Sequence, residues 1–339
     1  VLPPRARSRS SLLLVATLAL ALAVALGVSF GAEPASVVRA IQVRDSLDAA
    51  ILFELRLPRV LLAALAGAGL SAVGAAYQAL FRNTLAEPFV LGVSGGAALG
   101  ASLAIVLDVP GLVAAYAISA TLAVPSFAFA GGLGATWLVY RIARKAKQGD
   151  AGTTVLLAGV MVNSIAAALI TFLKSLVSPS RAQQLLRWLT GSIELPSSLA
   201  LGAIAVYVGL GGLVLLRDAA RLNLIALGDE AAGLLGVNVR KLELRVFIAS
   251  SCIVGAIVSL TGLIGFVGLV VPHVLRRLVG PDHRKLLPLS MLVGAAALVV
   301  CDLGARVAFR GLGSEPPVGA VTALLGGPLF LLLLQRGRR

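Results

Sequence analysis

The sequence predicts an all-α polytopic membrane protein of about ten transmembrane helices, and three observations predict it. Apolar residues fill 58% of the 339 positions and charged residues 13%, about half the charged share of a soluble domain, and mean hydropathy is +0.98. The apolar residues gather in runs of about 20, the length that crosses a hydrocarbon core about 30 Å thick. No run alternates as a barrel strand would, and backbone groups in lipid need internal partners, so the runs are helices.

In chain order the runs lie at roughly 12–30, 58–81, 90–107, 112–140, 152–177, 198–216, 243–261, 263–279, 286–308 and 318–334. The first follows Arg5, Arg7 and Arg9, as a secretory signal would, but it is longer than a signal's apolar region and reads as a retained first helix. The third and eighth are short and glycine-rich, so hydropathy alone merges or drops either one. Between the sixth and seventh runs, residues 217–241 break the pattern with an amphipathic, acidic and then glycine-containing stretch. Such a segment suits the grip of a soluble partner.

Charge sets the orientation, because Lys and Arg accumulate in cytoplasmic loops. With both termini inside, the cytoplasmic side holds 20 of the 29 basic residues but 7 of the 15 acidic ones. That asymmetry explains the basic pI through anionic lipid and without nucleic acid.

No catalytic group is legible. Cys252 and Cys301 fall inside predicted helices, which argues against a disulfide or a metal site. His273 and His283 have no second ligand at helical spacing and read as polar caps at a membrane interface. The phosphate-binding pattern G-x-x-x-x-G-K-[ST] is absent, so any ATP and Mg are bound by another subunit.

Many of the 37 glycines lie inside the runs, where small residues let helices approach closely. Two segments differ, 83–94 and 262–273, which carry Pro and Gly where an apolar pattern turns. Non-helical backbone at membrane depth is tolerated only against protein or a water-filled path. Asn83, Pro88, Gly262, Gly265 and Pro272 are therefore candidates for a translocation path or gate. Gln78, Asn163, Ser164 and Thr171, polar within apolar runs, join them. Residues 56–100 and 245–290 share a loose plan that hints at an inverted repeat.

Several ordered strings then carry a resemblance: Arg56-Leu57-Pro58-Arg59, Gly67 through Gln78, Arg82 through Pro88 and Leu91 through Ser94. Gly228 through Val239, Gly262 through His273, Asp282-His283-Arg284 and Pro317 through Pro328 continue it. Over residues 50–336 the chain resembles the permease subunits of bacterial ABC importers for iron-siderophores, haem and cobalamin. The resemblance implies a single permease domain over 1–339, with a type II importer architecture in the bacterial inner membrane. It also implies a homodimer, two ATP-binding cassette subunits beneath, a periplasmic substrate-binding protein above and a metal chelate as cargo, moved inward by alternating access.

By that resemblance the loop 217–241 forms short ATPase-coupling helices through Leu222, Leu224, Leu227, Gly228, Asp229, Glu230, Leu234, Leu235 and Gly236. Asp229 and Glu230 would open the second helix, where carboxylates suit the positive end, and Gly236 would close it. Arg56, Arg59 and Arg306 would receive acidic groups of the binding protein. The chain departs from the family at Thr84 and Leu263, where proline is usual, and at Pro316-Pro317, where one proline is commoner; local loop geometry is what these changes affect. The alternative is an ion-coupled secondary transporter with no ATPase, for which Asp302, Lys174 and Glu87 are the ionisable candidates.

Overall fold

The computed structural model describes residues 9–31, 33–109, 123–143 and 151–336. Part of the fourth predicted run, 112–122, and the basic residues Arg5, Arg7, Arg144, Lys145, Lys147, Arg338 and Arg339 lie outside the described residues. No strand occurs among the described residues.

Helix α1, Arg9–Ser29, is followed by two short helices, α2 (Val37–Gln42) and α3 (Leu47–Ala49). A π-helical turn, Ala50–Arg56, then leads straight into α4, Leu57–Leu80. Pro58 explains the wide turn, since it supplies no N–H and its ring crowds the carbonyl one turn earlier. Next come α5 (Val93–Val106), α6 (Ala123–Ala143), α7 (Ala151–Ser175), α8 (Pro179–Thr190) and α9 (Ser198–Arg217). Two short helices, α10 (Ala219–Ile225) and α11 (Asp229–Leu234), precede α12 (Val239–Thr261), α13 (Val267–Val279), α14 (His283–Leu312) and α15 (Val318–Arg336).

Among the described residues, seven helical stretches are long and apolar enough to cross a membrane, and α5 and α15 are shorter apolar helices. Each of the ten runs read from the sequence overlaps one helix, the fourth over its described part from Ala123, and the boundaries shift by a few residues at α5, α12, α13 and α14. The eighth run reads as 263–279, whereas α13 starts at Val267 and residues 262–266 are not helical. The ninth run extends at both ends into the 30 residues of α14, since Asp282 accepts from the Arg284 N–H and caps its start.

Helix α4 is the hub, packing against α14, α13, α9 and α12, with most of its residues buried. Its approach to two neighbours depends on missing side chains. A Cβ on Gly67 would lie 2.2 Å from the Gly294 carbonyl oxygen of α14, and one on Gly74 1.8 Å from that of Gly268 in α13. Both clashes are with backbone, so the helices themselves must part. Gly74→Leu is therefore expected to destabilise the bundle by about 3 kcal/mol or more, read as a large drop in the thermal unfolding midpoint in detergent; an unchanged midpoint would show that α13 can move aside.

The outward faces of α1, α7 and α15 carry Leu14, Leu18 and Leu22, Ile165 and Phe172, and Leu324 and Leu331, all exposed. Exposed apolar bands of this extent belong against lipid or a neighbouring subunit. The polar chemistry gathers elsewhere, at the two ends of the bundle and at the two helix breaks.

Candidate functional site

One end of the bundle carries the loop 218–238, and its geometry follows from which side chains it buries. Leu222 and Ile225 of α10, Ala232 of α11 and Val237 are buried in the core. Leu227, Leu234 and Leu235 are exposed, Leu234 to 91%, and Leu224 is half-buried. Gly228, at φ +115°, and Gly236, at φ +84°, bracket α11, whose first turn holds Asp229 and Glu230. Three ion pairs tie the loop. Asp218, almost fully buried, holds Arg245 at 3.0 Å and also Arg221, while Asp229 meets Arg82 at 3.3 Å. The result is an anchored platform that offers large leucines to water beside acidic residues. Sequence reading names the leucines together; only the fold separates Leu222, which anchors, from the three that face out.

The two breaks meet in space. Glu87 Oε1 accepts from the Phe266 N–H at 2.7 Å, and Phe266 stands at φ +69°, a conformation rare for a non-glycine residue. The carboxylate thus caps the start of α13 from the first break. The sequence marks Glu87 as an ion-coupling candidate, whereas here it has a structural bond. Pro88 packs under Gly268, and Asn83 Oδ1 accepts from the Leu85 N–H at 2.9 Å.

Other candidate path residues stitch the same region. Gln78 Nε2 donates to the Leu269 carbonyl at 3.2 Å, and its Oε1 accepts from Arg276 at 3.2 Å. Asn163 ties α7 to the first break, donating to the Phe89 carbonyl at 2.7 Å and accepting from the Gly95 N–H at 3.0 Å. Pro272 is buried in α13, and Gly265 lies near Glu87. Gly262, at φ +64°, lets its chain pass the Trp188 carbonyl, which a Cβ would approach to 2.1 Å. Ser164 and Thr171 stand apart from this group. They are exposed on α7 and donate to their own helix's carbonyls.

At the opposite end, the structure brings Arg56, Arg59 and Arg306 together around acidic and carbonyl oxygens. Arg59 binds Asp302 at 2.8 and 2.9 Å and also meets Glu315. Arg306 binds the second oxygen of Asp302 at 2.9 Å and the Phe30 carbonyl at 3.1 Å. Arg56 donates to the carbonyls of Val28, Ser29 and Glu33. Arg56 and Arg306 are buried, and Asp302 is wholly so; Arg59 and Glu315 are the more accessible members. The cluster joins α1, α4 and α14. Sequence alone groups the arginines by resemblance and gives no sign that Asp302 sits between two of them. Lys174, the third ionisable candidate, is exposed at the end of α7.

The chain is similar to known proteins over nearly its whole length. The FecCD transport family model matches residues 13–336. The cobalamin import system permease protein BtuC of Halobacterium salinarum is 42% identical over 287 residues, 84% of this chain and 73% of that one. The hemin transport system permease protein HmuU of Yersinia pestis is 39% identical over 293 residues, 85% of this chain and 84% of that one. A solved structure described as an inward-facing conformation of a metal-chelate type ABC transporter superposes with a TM-score of 0.82 at 31% identity, covering 97% of this chain and 99% of that one. With nearly its whole length matched in sequence and in fold, the chain belongs to the FecCD transport family and is a multi-pass permease of the ABC class.

Proposed function

We propose that this permease works as a homodimer in the bacterial inner membrane, with both termini cytoplasmic. Two ATP-binding cassette subunits lie beneath the loop 218–238, and a periplasmic binding protein docks at the end that carries Arg59 and Glu315. The observation that carries the reading is the anchored platform, with Leu227, Leu234 and Leu235 facing water where no lipid covers a charged loop. Its basic surroundings fit the cytoplasmic side.

The cargo in this reading is a metal chelate: a ferric siderophore, haem or cobalamin. ATP and Mg bind the partner ATPase, and the permease supplies the path. ATP binding draws the two ATPases together, α10 and α11 move with them, and the bundles tilt to switch access from one side to the other. That switch requires the platform to contact the ATPase differently in the two states, because a ligand shifts an equilibrium only through its differential affinity. The candidate path follows the joined breaks at Glu87 and Phe266 and the face of α7 that carries Ser164 and Thr171. At the outer end, Arg59 is the most accessible of the three docking arginines and meets the acidic groups of the binding protein first; such pairs orient docking more than they add affinity.

The test is co-purification of this chain with the ATPase and binding-protein candidates encoded beside it, then ATPase activity with a panel of ferric siderophores, haem and cobalamin. Stimulation by one loaded binding protein is the expected outcome and identifies the cargo. A chain that recruits no ATPase would overturn the reading.

A further inference from the structure

Asn223 lies on α10, within the platform, yet both polar atoms of its side chain are engaged inside the subunit. Its Nδ2 donates to Asp282 Oδ1 at 2.7 Å, and its Oδ1 accepts from the backbone N–H of His283 at 2.8 Å and lies 2.7 Å from His283 Nδ1. Asp282 is the N-cap of α14, and His283 is buried to within 2% of its surface. One amide from the platform therefore completes the capping structure of a helix that does not belong to the platform. Burial pushes the Asp282 carboxyl up, but the Asn223 amide, the Arg284 N–H and the neighbouring cations outweigh it and hold it below its ordinary range.

Helix α14 then runs about 45 Å without interruption, past Pro288. About five turns further along, Asp302 is clamped by Arg59 and Arg306. The same helix is thus hydrogen-bonded to the platform near one end and ion-paired to the opposite cluster near the other. The remaining polar ties of the platform lead elsewhere: Asp218 to Arg245 of α12, and Asp229 to Arg82 beyond α4. The Asp229–Arg82 pair is nearly half exposed and holds weakly. A cavity of about 500 Å³ borders the joint, lined by Asn223, Asp282 and His283 together with Gln78, Arg82 and Arg276. It gives the joint room to shift without a clash against packed core.

We propose that Asn223 is a positioning residue that fastens the ATPase-facing helix α10 to the start of α14, so that α14 carries movement of the platform to the Asp302–Arg59 cluster at the far end. The proposal rests on the importer reading above. Asn223 touches neither cargo nor nucleotide; it acts through Asp282 and His283. Coupling between distant sites needs a shared element that both bias, and α14 is the element this geometry supplies.

The experiment measures chelate imported per ATP hydrolysed, using the full complex of permease, ATPase and binding protein in proteoliposomes. The probe is whichever of ferric siderophore, haem or cobalamin the wild-type complex imports. Asn223→Asp sets two carboxylates against each other and is expected to lower the ratio about fivefold or more. Asp282→Asn added to it exchanges donor and acceptor, keeps an effective N-cap and should restore the ratio to within about twofold of wild type. A single variant coupled as well as wild type, or an exchange that restores nothing, would overturn the joint while leaving the importer reading intact. A wild-type complex that imports none of the three would overturn that reading and the joint with it.

Discussion

Replacing Asp302 by alanine should unfold the bundle more readily than any other single loss of charge, at a cost of about 3–5 kcal/mol. The side chain is wholly buried and its two oxygens face two guanidiniums at 2.8 to 2.9 Å. Removing it leaves Arg306, itself buried, without a counter-charge in a medium where an uncompensated ion is far costlier than in water. Arg59 retains Glu315, so the loss concentrates on Arg306. Thermal unfolding of the purified permease in detergent is the measurement. An Asp302→Leu, Arg306→Met pair should recover much of the loss, because replacing a buried ion pair by apolar groups of similar volume is often neutral. A midpoint that does not move with Asp302→Ala would mean that water reaches the cluster.

Leu234→Asp combined with Leu235→Asp has the largest expected effect on function. These side chains are 91% and 58% exposed, so the variant permease should purify and melt like wild type. Its ATPase partner should bind about 10- to 100-fold more weakly, the result of losing two apolar anchors and placing carboxylates at a desolvated contact. Affinity measured with immobilised permease and soluble ATPase decides the matter. Unchanged binding would move the contact away from α11, leaving Leu227 as the exposed leucine of the platform.

The long helices are legible in the sequence because apolar runs and bilayer thickness fix them independently of tertiary structure. What was not legible has a common cause, namely that local pattern carries no information about partners distant in the chain. Helix α8 lies between two predicted runs and is amphipathic rather than apolar, so hydropathy passes over it, although Pro179 at its first turn and Gly191 after its last are the start and stop signals of a helix. The wide turn before Pro58 needs the backbone to be seen. The two breaks are visible from Pro and Gly, but that Glu87 in one caps Phe266 in the other is a contact across 179 positions. Arg56 and Arg306 read by resemblance as docking charges at the outer end, whereas the fold turns Arg56 inward on carbonyl oxygens and Arg306 on Asp302 and the Phe30 carbonyl. The leucines of the platform are named in the sequence as one group, yet only packing shows that Leu222 holds the loop down while Leu227, Leu234 and Leu235 face out.

Helix α13 has 13 residues and so spans about 20 Å, against a hydrocarbon core of about 30 Å. The missing length is made up by residues 262–266 and by the Glu87 carboxylate that meets them. The helical part of this crossing therefore covers only two-thirds of the hydrocarbon thickness, and the Glu87 carboxylate satisfies a backbone N–H that lies outside any helix turn.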